Sequence, residues 1–210
     1  ALIALGANPD RTSLLPNVPD PGLLERSGLS FDDAPPDVLY IGTLSWQPNA
    51  QGMQSFLREA MPKFADKLPG SRLMVAGSGP PSWLRDWAGR TPFLELVSPV
   101  LDVEALYRRA RVFLEPVSGG GGTKLKVLNA LARGLPVVTT PDGADGIAAI
   151  DGEHLLIGRD GDELLDRLSR VTQDRELWER LSKNGRELIR ERYVPDIAYE
   201  PVAELLAKAT

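Results

Sequence analysis

The sequence predicts an α/β fold, a doubly wound Rossmann-like parallel sheet flanked by helices, and three observations predict it. From Val38 onward, short apolar runs rich in β-branched and aromatic residues alternate with longer stretches of helical period. Alternation of that kind pairs strands in parallel through right-handed crossovers. Glycine-bearing turns follow the first, second and fourth apolar runs, at the edge of the sheet where such folds bind ligands.

The elements follow in order. Residues 1–37 are dense in Pro, Gly, Asp and Asn, notably LLPNVPDPG at 14–22 and DDAPPD at 32–37, and read as a linker or edge segment entering the domain. The predicted strands are VLYIGT (38–43), SRLMVAG (71–77), FLELV (93–97), RVFLEP (111–116), LPVVTT (135–140) and HLLIG (154–158). Helical patterns lie between them at about 50–67, 81–88, 102–109 and 123–133. In the first, Met53, Phe56, Leu57, Ala60 and Phe64 share one face, the spacing of a helix buried on one side. Two charged helices follow at about 161–172 and 174–192, and a short terminal helix at 197–208 carries Ala198, Val202, Leu205 and Leu206 along a side expected to dock. The Rossmann-like domain is thus assigned to 38–195 and the terminal helix to 196–210.

Composition narrows the function. The chain has 210 residues, with 24 Lys plus Arg against 29 Asp plus Glu and a formal net charge of -5. No excess of basic residues and no dense basic run marks a nucleic-acid or membrane-surface binder. Cys is 0 and His is 1, which excludes disulfides, thiolate metal sites and multi-histidine metal sites. That usage fits a reducing compartment. No run approaches the roughly 18 apolar residues of a membrane span, and the first ten residues lack a signal-peptide pattern. The chain starts at Ala1 without an initiator methionine, and it reads as a piece of a longer protein.

The chemistry is expected in the glycine-bearing turns GTLSWQPN, GSGPP (77–81) and SGGGGTK (118–124). GSGPP lacks the third glycine of the dinucleotide fingerprint, which disfavours a nicotinamide or flavin enzyme. Gly119 to Gly122 run straight into an amphipathic helix containing Leu125, Leu128, Leu131 and Ala132. Glycines let a phosphate approach the backbone, and free N–H groups with the positive end of the helix dipole face it. Lys124 and Lys126 add charge, and Asn129 lies further along the same face, within reach of sugar hydroxyls. The same run also reads as a flexible loop with surface lysines, and Thr123 as a plain N-cap. Glu115 either accepts a hydrogen bond from a ligand or holds the glycine loop. Trp46 reads first as a packing residue, His154 as structural, and Asp142 and Asp145 as turn formers.

In these residues the chain resembles the group 1 glycosyltransferases, glycosyltransferase family 4, which have the GT-B fold. The run GGGGTKLKVLNALARGLPVVTTPDGADGI is similar to their donor-binding signature. LLPNVPDP, VLYIGTLSWQPNAQGMQSFL, LMVAGSGP and VSPVLDVEALYRRARVFLEPV match in order, over about 15–195. The resemblance implies the donor-binding half of a retaining, metal-independent enzyme of polysaccharide biosynthesis that needs no cofactor. Its donor would be a nucleoside-diphosphate sugar, and its acceptor a glycan or lipid held mainly by a separate amino-terminal domain of the same protein. Such a protein would be cytoplasmic, or peripheral at the membrane through that other domain.

Residue by residue, the resemblance implies that Gly42, Thr43 and Ser45 approach the diphosphate and sugar. Gly77, Ser78 and Gly79 would line the nucleotide, with Val100 and Leu101 beside the base. Gly122, Thr123 and Lys124 would seat the diphosphate, supported by Lys126, with Gly121 and Leu125 close by. Lys124 and Lys126 are the residues expected to act in the chemistry, and Asn129 would face the ribose or the sugar. The chain departs from the family pattern where two Glu residues often stand, since it has Gly121 and Asn129 there, and the turn after the first strand carries no basic residue. A catalytically silent nucleotide-sugar-binding or scaffolding domain, and a nucleotide-sugar epimerase, are the alternatives.

Overall fold

A computed structural model describes residues 3–9, 12, 15–26 and 28–209. Leu14, at the start of the LLPNVPDPG run, and the terminal Thr210 lie outside the described residues. The order is β1 (Val38–Ile41), α1 (Gln47–Lys67), β2 (Leu73–Ala76), α2 (Ser82–Arg90), β3 (Leu94–Val97), α3 (Val103–Arg108), β4 (Val112–Glu115) and α4 (Leu125–Ala132). It continues with β5 (Val137–Thr139), α5 (Pro141–Ala144), β6 (Leu156–Ile157), α6 (Gly161–Gln173), α7 (Arg175–Arg192), α8 (Pro195–Ala198) and α9 (Glu200–Ala209).

The strands form one six-stranded sheet in the order β3-β2-β1-β4-β5-β6, and every pairing is parallel. The strand order reverses between β1 and β4, so the connections leaving these neighbours depart to opposite faces and open a crevice at their carboxyl ends.

Alternation along each strand divides the core in two. Val38 and Tyr40 of β1 pack with Met53, Phe56, Leu57 and Phe64 of α1 and with Leu164, Leu165 and Leu168 of α6. Leu39 of β1 turns to the other face, where Val127, Leu128 and Leu131 of α4 meet Leu106 and Tyr107 of α3. Full burial of a side chain such as Phe56 or Phe64 contributes roughly 1.5–3 kcal/mol. The predicted apolar face of α1 is therefore the buried one.

The entering segment lies along this second face. Leu23 is buried in its cluster, Leu29 N donates to Arg133 O, and Arg186 of α7 donates to the carbonyls of Leu24 and Arg26.

The structure revises the ends of several predicted elements. The terminal helix is two helices, α8 and α9, divided at Tyr199. Pro201 has no N–H to carry a helix through from α8. Ala198 is buried at the junction, whereas Leu206, expected on the docked side, is exposed. The sixth strand is confined to Leu156–Ile157, and His154 belongs to the preceding turn, where its Nδ1 accepts from Ile150 N. Asp142 lies in a one-turn helix, α5, capped by Thr140, whose Oγ1 accepts from Gly143 N.

Candidate functional site

On one side of the crevice, at the carboxyl ends of β1 and β2, two glycine turns are pressed against each other. Gly42 N donates to Ala76 O, Gly77 N to Val97 O and Leu44 N to Ser78 O. A Cβ on Gly77 would lie 1.7 Å from Gly42 O, and its φ of +154° is one that side chains rarely adopt, so only glycine fits. A Cβ on Gly79 would reach within 2.9 Å of the Ser45 Cβ. The result is a cleft of about 610 Å³ lined by Gly42, Thr43, Gly77, Ser78, Gly79 and Val100. Six of the expected site residues therefore share one cavity. Ser45 abuts it, while Leu101 stands almost fully exposed in the turn after β3.

The second part of the site is the loop between β4 and α4. Gly119, Gly120 and Gly122 have φ of +79°, +82° and +84°, the left-handed conformation that glycine adopts without strain. The Lys124 Nζ folds back and donates to Gly120 O at 2.7 Å and to Gly122 O at 2.8 Å. A lysine thus latches the loop by two of its carbonyls. Among the described residues no partner takes the N–H groups from Gly120 to Lys126. Gly119 N, just before that stretch, donates to Asp142 Oδ2 at 2.6 Å.

Helix α4 opens on Lys124, with no capping side chain and no acid in its first turn. Thr123 is not the N-cap, since the helix starts two residues after it, and its Oγ1 donates instead to Gly146 O at 3.1 Å. Trp46, at the start of α1, carries its indole to Gly120, where a Cβ would meet it at 3.0 Å, and so joins the two parts of the site.

Beneath both parts lies a buried polar network. The Lys126 Nζ stands 2.7 Å from Glu115 Oε2, donates to Asn49 Oδ1 at 2.8 Å, and sits 4.8 Å from the centre of the Tyr40 ring. Glu115 is fully buried, and its Oε1 accepts from Val117 N. Burial pushes the Glu115 carboxyl up and the Lys126 ammonium down, and the attraction between them opposes both shifts. Through Val117 N, Glu115 bonds to the start of the loop that leads to the glycines. Lys126 is committed to this network under the site.

Asn129 is engaged elsewhere. Its Oδ1 accepts from Asp20 N at 2.8 Å and its Nδ2 donates to Asp20 Oδ2 at 3.0 Å, tying the entering segment to α4. Asn17 Nδ2 adds a bond to Thr123 O. Gly121 and Leu125 lie on the loop and at the first position of α4, both open to solvent on one side.

Asn49, Tyr40 and Asp142 were not singled out as site residues by the sequence. Asn49 had a usable signal, because it falls on the buried face of α1, four residues before Met53 and seven before Phe56. A polar residue on a core face demands a partner. Among the described residues no group of three or more His, Asp or Glu could hold a metal ion, and no helix is long and apolar enough to cross a membrane.

Residues 35–174 match a family described as glycosyl transferases, group 1. A phosphatidyl-myo-inositol mannosyltransferase of Mycobacterium leprae is 30% identical over 158 residues, covering 73% of this chain and 41% of the relative. A protein of Klebsiella pneumoniae described as an uncharacterized 44.6 kDa protein in the cps region is 28% identical over 131 residues, covering 59% of this chain and 34% of the relative. The chain thus spans 34% to 41% of the length of these two curated relatives.

Solved structures share the fold. TarM superposes with a TM-score of 0.68 at 12% identity, over 92% of this chain and 37% of TarM. The carboxy-terminal domain of LpcC from Francisella tularensis gives 0.63 at 16%, over 76% of this chain and 86% of that domain. HepE from Anabaena, solved with UDP-glucose, gives 0.65 at 12%, over 86% of this chain and 56% of HepE.

Proposed function

The chain belongs to the group 1 glycosyl transferases, and on that footing we propose that it is the donor-binding half of a GT-B enzyme of glycosyltransferase family 4, holding a nucleoside-diphosphate sugar. The observation that carries this reading is the row of N–H groups from Gly120 to Lys126 that have no partner among the described residues, on a loop latched by Lys124 and placed beside the Gly42–Gly79 cleft. Backbone amides at a helix start, with the positive end of its dipole, suit a diphosphate, and the neighbouring cleft suits a nucleoside.

In this reading the sugar leaves the diphosphate, and the negative charge that develops on the departing oxygen meets donors already in place. Such preorganised electrostatics is where an enzyme of this kind gains its rate. Lys124 uses two of its three protons on Gly120 O and Gly122 O, and in this reading the third is left for the diphosphate. Lys126 acts from below, by fixing the first turn of α4. The transfer is retaining and needs no metal, a reading that rests on the family resemblance. The acceptor is a glycan or lipid held by a separate amino-terminal domain, and the name of the mycobacterial relative supports a lipid-linked one.

Calorimetric titration with UDP, GDP and ADP tests the proposal. Saturable binding of one of them, weakened about tenfold or more in Lys124→Ala by loss of a charge-assisted hydrogen bond, is the expected result. Affinity unchanged in Lys124→Ala would sink the assignment. One observation favours a second reading, a domain that binds donor without turnover: Asn129 stands where the family often has Glu, and its amide is committed to Asp20. Product analysis of the full-length protein with a labelled donor separates the two.

A further inference from the structure

We propose that Asn49 is a positioning residue for the donor site, setting the β1–α1 turn through one amide group that faces two ways. Its Nδ2 donates to Thr43 O at 2.9 Å, and its Oδ1 accepts from the Lys126 Nζ at 2.8 Å. The side chain is thereby fixed in one orientation, because an ammonium only donates and a carbonyl only accepts. Asn49 is 5% exposed. A bond made at that depth is not readily replaced by water.

The geometry connects four elements. Glu115 on β4 anchors Lys126 on α4, Lys126 orients Asn49 on α1, and Asn49 holds the carbonyl of Thr43 after β1. The turn is also seated from below, since a Cβ on Gly42 would lie 2.5 Å from the Tyr40 hydroxyl. With Thr43 O held down by Asn49 and by Trp46 N at 3.3 Å, the N–H groups of Thr43 and Ser45 have no partner among the described residues. They are left to a ligand in the cleft. The network therefore keeps the β1–α1 turn and the start of α4 in one fixed relation, and both are expected to grip the same diphosphate. The role of Asn49 in binding rests on the donor-site reading, whereas its hold on the turn does not.

The substitution Asn49→Asp distinguishes positioning from bulk packing. A neutral carboxylic acid reproduces both bonds, its O–H donating to Thr43 O and its carbonyl accepting from Lys126. The ionised form cannot donate, so the bond to Thr43 O is lost. The groups that face the introduced carboxyl are Lys126 from α4, Glu115 from β4 and Tyr40 from β1. A second carboxyl against one lysine in a buried site favours retention of a proton as pH falls.

Nucleoside diphosphate affinity of the chain, measured by calorimetry and divided by the wild-type value at the same pH, should be reduced about tenfold near pH 8, as expected for one buried hydrogen bond. It should recover as the pH falls toward about 5, where the acid is reprotonated. Asn49→Ala, which can make neither bond, should stay weak at both. Equal affinity of Asn49→Asp and wild type throughout, or an equal deficit at both pH values, would overturn the proposal. If wild type binds none of UDP, GDP and ADP, the donor reading fails, and the amide resonances of Gly42–Trp46 decide the positioning role in the nucleotide-free chain. A pH-dependent displacement of those resonances in Asn49→Asp alone supports it, and its absence overturns it.

Discussion

Helices α6 and α7 begin on Asp160 and Asp174, whose carboxylates accept from Glu163 N and Leu177 N, and each has further acid in its first turn. Helices α1, α2 and α4 begin on Trp46, Pro81 and Lys124, with no capping side chain and no acid in the first turn. The first pair packs the flank of the domain, and the other three follow the turns of the candidate site. A good side-chain cap contributes about 1 kcal/mol, and acid near a helix start adds a few tenths more. The starts of α1, α2 and α4 forgo that stabilisation, which leaves their amides and positive dipole ends for an anion from outside. Helix α3, which follows β3 beside the cleft, is instead capped by Asp102, as α6 and α7 are by their own aspartates.

Helix α4 stays in place although uncapped, held by its buried Val127, Leu128 and Leu131 and, at its first turn, by the Lys126–Glu115 pair. Lys126→Met should therefore have the largest effect, costing about 3–5 kcal/mol in urea unfolding, because it strands a buried carboxylate. Burial already raises the Glu115 carboxyl, and removal of Lys126 takes away the attraction that opposes the shift. A carboxyl raised in the folded state holds a proton that the unfolded chain releases, so its contribution is complete below the unfolded value and is lost as pH rises through the folded one. The variant should lie closest to wild type in mild acid and furthest from it above neutrality.

Installing at α4 the kind of start that α6 has would sharpen the contrast further. Lys124→Asp supplies an internal carboxylate and removes the latch on Gly120 and Gly122, so nucleoside diphosphate affinity should fall about a hundredfold, more than in Lys124→Ala. Isothermal titration of the two variants side by side reads the difference. The converse substitution, Asp160→Ala, should have the smallest effect. It removes a cap from a helix outside the site and should cost about 1 kcal/mol of stability by urea unfolding while nucleotide affinity is unchanged.

The layered architecture was legible because each layer has its own period. The apolar face of α1 and the six strand runs are written in contiguous residues, and all six runs appear as strands. Helix α5 has four residues and no apolar period to reveal it. Tyr199 and Pro201 divide the last helical stretch locally, although the spacing of its apolar residues continues across the break.

The glycine turns were equally readable, since a backbone that must take positive φ or touch another backbone admits little else. What the sequence did not disclose is the wiring between distant segments. Asn129 meets Asp20 across 109 positions, Lys126 meets Asn49 across 77, and Asp142 reaches Gly119 across 23. Lys126 in an amphipathic helix reads as a surface charge until β4 supplies Glu115 beneath it.

The claim that the start of α4 is an anion seat is tested most directly by following backbone amide resonances as UDP, GDP and ADP are added in turn. The amides of Gly120–Lys126 should move together and saturably with one nucleotide, accompanied by those of Thr43 and Ser45, while the capped starts of α6 and α7 stay still. Saturable binding that leaves the Gly120–Lys126 amides unmoved would contradict the account, because the diphosphate would then lie somewhere other than on the amides the fold leaves free.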